Sequence, residues 1–193
     1  MPSLIAALIL AALPSALQKN VSAMASNRTV LAEYRQERSF KGLDMKLVVR
    51  GTMAYERGKG LVWTTESPMR TKMVMTPSEI AMWDAVSGKT SKIGLSSVPF
   101  AKALYECQNA WFRGDVESAP GFRVKSGTGR SVELVADDDV AGALFSKIDV
   151  VFAENGRAVE EVVLTEKTGE KMRIVFSGVK NNVPLPASVW ETP

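Results

Sequence analysis

"MKLVVRGTMAYERGKGLVWTTESP", residues 45–68, decides how the rest of the chain reads. Met45, Leu47, Val49, Met53 and Tyr55 recur at every second position, with Gly51 in the same register. Lys46, Arg50, Thr52 and Glu56 alternate with them, joined by Val48 and Ala54. A period of two places the two sets on opposite faces of a strand. Arg57-Gly58-Lys59-Gly60 then supplies a tight turn, and Leu61 and Trp63 open a second strand that stops at Ser67-Pro68. The hairpin therefore has one greasy face. An enzyme would need reactive groups near it; a carrier would need only an apolar surface to cover.

The same alternation extends over residues 30–85, through "RTKMVMT" and "EIAMWDA", broken by Ser67-Pro68 and Thr76-Pro77-Ser78. Spacers this short predict antiparallel neighbours in a meander. After Gly94 the period changes. "SSVPFAKALYECQNAWFRGD", residues 96–115, opens on serines suited to N-capping, carries Pro99 near its first turn and ends at Gly114. Ala101, Leu104, Tyr105, Gln108, Trp111 and Phe112 share one stripe, so this helix covers something apolar. "DDDVAGALF", residues 137–145, predicts a short second helix behind an acidic cap.

Strands resume from Ser146. Ile148, Val150 and Phe152 alternate, then Val162 and Leu164, then Met172, Ile174 and Phe176, with hairpin signals at Asn155-Gly156 and Thr168-Gly169. The chain closes on the proline-bearing "NNVPLPASVWETP". The expected fold is α+β and mainly β, one curved antiparallel sheet with helices on one face.

Composition narrows function by exclusion. The 193 residues are 46% hydrophobic and 23% charged with net charge +3, which excludes a disordered chain. Lys and Arg are dispersed among acids, so no nucleic-acid face is expected. There is no histidine, the commonest general base and metal ligand. The single Cys107 lies in the helical stretch and reads as a small half-buried residue. "SGTGRS" around Gly127 and Gly129 lacks phosphate-loop spacing and fits a hairpin turn. Glu160 and Glu161 are adjacent on a strand and point apart, and Asp137 to Asp139 are explained by capping rather than calcium. Neither enzymatic activity, nor a cofactor, nor a metal is expected. Methionine is in excess: Met45, Met53, Met73, Met75, Met82 and Met172 all lie in strand segments, where a deformable apolar face suits variable shapes.

Residues 4–13 form an apolar run too short to span a bilayer but suited to a secretory leader, although no Lys or Arg precedes it. Residues 1–25 are expected to be a leader cut after Ala16, Ala23 or Ala25, leaving 26–193 as one domain. The alternative is a first amphipathic helix of the domain itself. No Leu-x-Gly-Cys pattern follows the run, so no lipid anchor of its own is expected. The sequons at Asn20 and Asn27 carry no weight.

"AEYRQERSFKGLDMKLVVRGTMAYERGKGLVWTTESP", residues 32–68, resembles the start of the LolA family, periplasmic carriers of outer-membrane lipoproteins. Tyr34 and Gln36, Gly51, Arg57, Trp63 and Pro68 fall in the family's order, and Gly169, Phe176, Asn182, Trp190 and Pro193 match its ending. The resemblance implies an incomplete β-barrel whose concave side is covered by helices, with acyl chains entering between sheet and helices. It further implies a monomeric, soluble protein of a Gram-negative-type periplasm. Such a protein takes cargo from an inner-membrane transporter and delivers it to an outer-membrane acceptor. The expected apolar surface comprises Met45, Leu47, Val49, Met53, Tyr55, Leu61, Trp63, Met73, Met75 and Met82, then Leu104, Tyr105 and Trp111, then Ile148, Val150, Phe152, Val162, Leu164, Ile174 and Phe176. Arg57 stands in the place of the family's turn arginine, which helps hold the helical lid closed through loop carbonyls. Gly58 replaces the family's proline and Leu61 its aromatic. These departures mark a divergent branch, with a glycolipid or other lipid as the alternative cargo. The second functional reading is an envelope sensor or binding module built on the same groove.

Overall fold

The computed structural model describes residues 15–40 and 45–193; the leader's apolar run lies outside them. Eleven strands follow one another: β1 Thr29–Ser39, β2 Lys46–Glu56, β3 Gly60–Ser67, β4 Thr71–Met75, β5 Glu79–Asp84, β6 Thr90–Gly94, β7 Phe122–Thr128, β8 Ser131–Ala136, β9 Phe145–Phe152, β10 Val159–Glu166 and β11 Lys171–Asn181. Among the described residues two α-helices join them, α1 Ser15–Met24 and α2 Pro99–Arg113. All strands form one antiparallel sheet in the order β6-β5-β4-β3-β2-β1-β11-β10-β9-β8-β7. Two meanders, β1–β6 and β7–β11, are thus joined through the β1–β11 pair. The curved, unclosed sheet matches the expected class.

This order dictates where α2 must go. The helix connects β6 to β7, the two outermost strands, so the chain has to cross a whole face of the sheet. Pro99 is in its first turn, and Gly114 ends it in the left-handed region at φ 71°. The expected serine cap is absent: Leu95–Ser97 form a 3-10 turn and Val98 takes the cap position without a side-chain bond. "DDDVAGALF" also differs from expectation. Only Ala141–Ala143 make a 3-10 turn, closed by the Ala141 N–H donating to Asp138 Oδ1 at 2.7 Å. Asp138 and Phe145, where β9 begins, leave too few residues for a helical nucleus. The remaining turns agree with the sequence reading. Gly58, Gly129, Gly156 and Gly169 each take positive φ between paired strands.

Helix α1 packs into the same core as the sheet. Leu17, Val21 and Met24, spaced at i, i+4 and i+7, are buried. A Cβ on Gly114 would lie 2.1 Å from the Val21 carbonyl oxygen, so the end of α2 and the middle of α1 touch backbone to backbone. Leu17, Val21 and Met24 thus belong to the buried core cluster, within the span 1–25 that the leader reading covers. Asn27, a formal sequon, is 2% exposed and its Nδ2 donates to the Arg157 carbonyl at 3.1 Å.

Candidate functional site: the concave face

Register fixes which side chains share the face that α2 crosses. Tyr55 lies opposite Leu61, Leu61 opposite Met75, and Met75 opposite Ile80. The next row runs Ala32, Met53, Trp63, Met73, Met82. On the other wing Ile174 pairs with Val162, Val162 with Val150, and Val150 with Val132. Directly paired residues point to one side, so both wings present continuous aliphatic and methionine rows to the helix. Every strand residue expected on the apolar surface lies on this concave face.

The residues differ sharply in access. Met53, Tyr55, Leu61, Met75, Ile148, Val150, Phe152, Val162, Leu164, Ile174 and Phe176 are buried, as are Tyr105 and Trp111 of α2. Val49, Trp63, Met73 and Leu104 are half-buried against them. Met45 is 56% exposed, Leu47 39% and Met82 48%. The helix therefore fills the middle of the trough and leaves an apolar margin open to solvent. Aromatic rings make that filling specific. Phe112 stacks on Tyr55 at 5.5 Å and meets Phe176 edge-on at 6.0 Å, while Trp63 bridges Phe176 and Tyr34.

Several contributors were not singled out from sequence. Val30, Ala32 and Tyr34 of β1 alternate like the others and complete the floor. Phe122, Val132 and Leu134 extend it towards β7, and α1 supplies the three residues described above. Cys107 is fully buried rather than half-buried, because α2 is covered from more than one side. Burial pushes its thiol up to about 12, and the nearby Trp111 indole only partly offsets this.

The seat of the helix is imperfect in one respect. Tyr55 Oη, Gln108 Oε1 and Trp111 Nε1 are buried without a hydrogen bond of ordinary geometry. Each such group costs about 1–3 kcal/mol. Burial raises the Tyr55 phenol, with the Arg57 and Arg113 guanidiniums pulling it back. Burial likewise raises Tyr34, whose hydroxyl shares a 2.9 Å bond with Thr65.

Arg57 sits exposed at the β2–β3 turn. Its Nη2 donates to the Ala25 carbonyl at 2.7 Å, and its main-chain N–H donates to the Arg28 carbonyl at 2.8 Å. The turn is thereby tied to the segment that leaves α1. Asn182, in the left-handed region at φ 58°, secures the same corner by accepting the Arg28 N–H at 2.7 Å.

Two cavities among the described residues lie away from the trough. One of about 380 Å³ borders Asp137–Asp139 and Lys167. The other, about 220 Å³, is on the convex face beneath the C-terminal segment. Among the described residues no group of His, Cys, Asp and Glu is placed to hold a metal ion, and no helix is long and apolar enough to cross a membrane.

Against known proteins, the pattern of this chain matches one family model over residues 25–192, described as outer membrane lipoprotein carrier protein LolA. An outer-membrane lipoprotein carrier protein of Pseudomonas entomophila is 25% identical over 147 residues, covering 73% of this chain and 66% of that one. A second, from Pseudoalteromonas translucida, is 22% identical over 173 residues, covering 87% and 78%. An uncharacterized conserved protein from Thermus thermophilus shares the fold with a TM-score of 0.52 at 12% identity, over 92% of this chain and 90% of that one. An unclosed sheet with its concave side crossed by a helix, and a match spanning nearly all of the described residues, lead to one conclusion: the chain belongs to the LolA family of outer-membrane lipoprotein carriers.

Proposed function

We propose that this protein is a non-enzymatic periplasmic carrier that shields the acyl chains of a lipoprotein or related lipid on its concave face. It receives them from an inner-membrane transporter and passes them to an outer-membrane acceptor. The observation that carries this reading is the continuity of apolar rows across both wings of the sheet, left partly open at Met45, Leu47 and Met82. Each methylene buried contributes about 0.8 kcal/mol, so an acyl chain needs a broad apolar surface rather than polar contacts.

In the described conformation α2 occupies the trough. Cargo therefore lands first on the open margin and reaches the buried rows as the helix lifts. The unpartnered polar atoms beneath α2 lower the cost of that movement, while the Arg57 bond to Ala25 ties the exit of α1, which touches the end of α2, to the β2–β3 turn. The leader is cut ahead of Leu17, because a cut after Ala23 or Ala25 would remove buried side chains from the core.

The test is native mass spectrometry of the exported protein, purified without detergent. Acyl-bearing adducts are expected, removable by organic extraction and restored by added lipopeptide. Repeated recovery of an empty protein that also takes up neither lipopeptide nor a fatty-acyl dye refutes the carrier role. N-terminal sequencing of the same sample tests the processing site.

A further inference from the structure

The face of the sheet opposite the trough carries a second, smaller site. Residues Thr52, Thr64 and Lys72 pair in sequence across β2, β3 and β4, so they form one polar row on the convex side. Beside it runs an apolar row that includes Ala54 and Val62, against which the C-terminal segment packs Leu185, Val189 and Trp190. The segment does not fill the space. A cavity of about 220 Å³ remains between it and the sheet, with Leu31, Ala54, Val62, Thr52, Thr64 and Lys72 on the sheet side and Ser188 and Val189 on the side of the segment.

Lys72 is the informative group. Its Nζ donates to the carbonyls of Ser188 at 3.1 Å and Glu191 at 2.5 Å, and it makes no ion pair among the described residues. Two main-chain acceptors leave one of its three N–H groups uncommitted. The Thr52 and Thr64 hydroxyls are also without partners among the described residues. A half-buried cation, two free hydroxyls and an adjoining apolar wall together match a small amphiphile with an anionic end. A single positive charge, already partly offset by the Glu191 carboxylate, suits a monoanion better than a phosphate, which would carry charge that nothing here compensates. The volume lies below the roughly 300 Å³ at which ordinary ligand pockets begin, so the apolar end must be short.

We propose that this cavity binds a short-chain alkyl carboxylate. The carboxylate is held by Lys72 Nζ and the Thr52 and Thr64 hydroxyls, and the alkyl chain lies on Ala54, Val62 and Val189. The site is separate from the trough, and its occupancy does not depend on the carrier role.

The test is a titration of methyl-labelled full-length protein by NMR with butanoate, hexanoate and octanoate, and with hexanol as the uncharged control. Saturable shifts are expected at the Leu31, Val62 and Val189 methyls, whatever the response of Leu47, Met73 and Met82 on the opposite face. Affinity should rise about fourfold per methylene until the cavity is full. Lys72→Met should weaken hexanoate at least about tenfold and hexanol by a smaller factor. Because that change also frees the C-terminal segment, Thr64→Val, which leaves the Lys72 clip in place, is the second variant and should weaken hexanoate a few-fold. Equal binding of hexanoate and hexanol, shifts confined to the concave methyls, or indifference to both substitutions overturns the proposal.

Discussion

Replacing Gly114 with alanine tests how α1 is held. Two costs are separable at this position. The residue occupies the left-handed region at φ 71°, where a Cβ costs about 1–2 kcal/mol. The same Cβ would fall 2.1 Å from the Val21 carbonyl oxygen and 2.9 Å from Met24 Cβ. A main-chain oxygen cannot rotate aside, so α1 has to shift as a unit. That movement uncovers part of Leu17, Val21 and Met24, each contributing about 1.5–3 kcal/mol when fully buried. Regained chain entropy offsets a portion. The expected loss is about 3–5 kcal/mol, or roughly 6–20 °C in melting temperature for a domain of this size. Gly58→Ala is the control, with φ 79° and nothing within 4 Å of the added carbon, and should lose only the backbone share of about 1–2 kcal/mol. Urea unfolding gives both numbers, and hydrogen exchange should show protection falling in α1 while β9 and β10 keep theirs. Equal losses for the two variants, or unchanged exchange in α1, would refute the packing argument.

Other outcomes follow from the same geometry. Met82→Glu places a charge on the open apolar margin, so binding of a fatty-acyl dye should weaken at least about tenfold. Because Met82 is already 48% exposed, its stability should stay within about 0.5 kcal/mol of wild type by urea titration. Cys107, fully buried with its thiol pushed up to about 12, should react with a thiol reagent only after denaturant is added; prompt labelling of the native protein contradicts its placement. Glu133 is bonded by Lys125 and Lys147, which hold its carboxyl below the usual 4.5. A lowered folded pKa contributes stability above the unfolded value and loses it as pH falls through the folded one. Glu133→Gln should therefore cost about 0.5–1 kcal/mol at pH 7 and progressively less below pH 4.5, read from melting curves across pH.

Local periodicity exposed most of the architecture. Alternation in residues 45–56, 61–67 and 146–176 located the strands and the face they share, and Pro99 with Gly114 bounded α2. What escaped was of two kinds. Strand β6 is five residues long with Ile93 as its single large aliphatic, so its pattern is too brief to register. The Leu17, Val21 and Met24 spacing is helical, but it adjoins a more hydrophobic run, and no period tells a packed first helix from the end of a leader. Long-range facts left no local trace. The β1–β11 pair joins Val30 to Asn181, and no period in either segment encodes that partnership. The open margin at Leu47 and Met82 and the half-buried Met73 were likewise indistinguishable from the buried floor, because only the path of α2 separates them.

The ends of the sheet, β6 and β7, are not bonded to each other. In a closed barrel, strand number and stagger together fix the diameter. Here no ladder of hydrogen bonds closes the circumference, so the radius of curvature is a soft coordinate. The sheet can flatten or tighten by repacking side chains while every strand keeps its neighbours. In the carrier role proposed above, capacity would then be elastic, with thin and bulky cargo accommodated by a change of bend rather than of bonding.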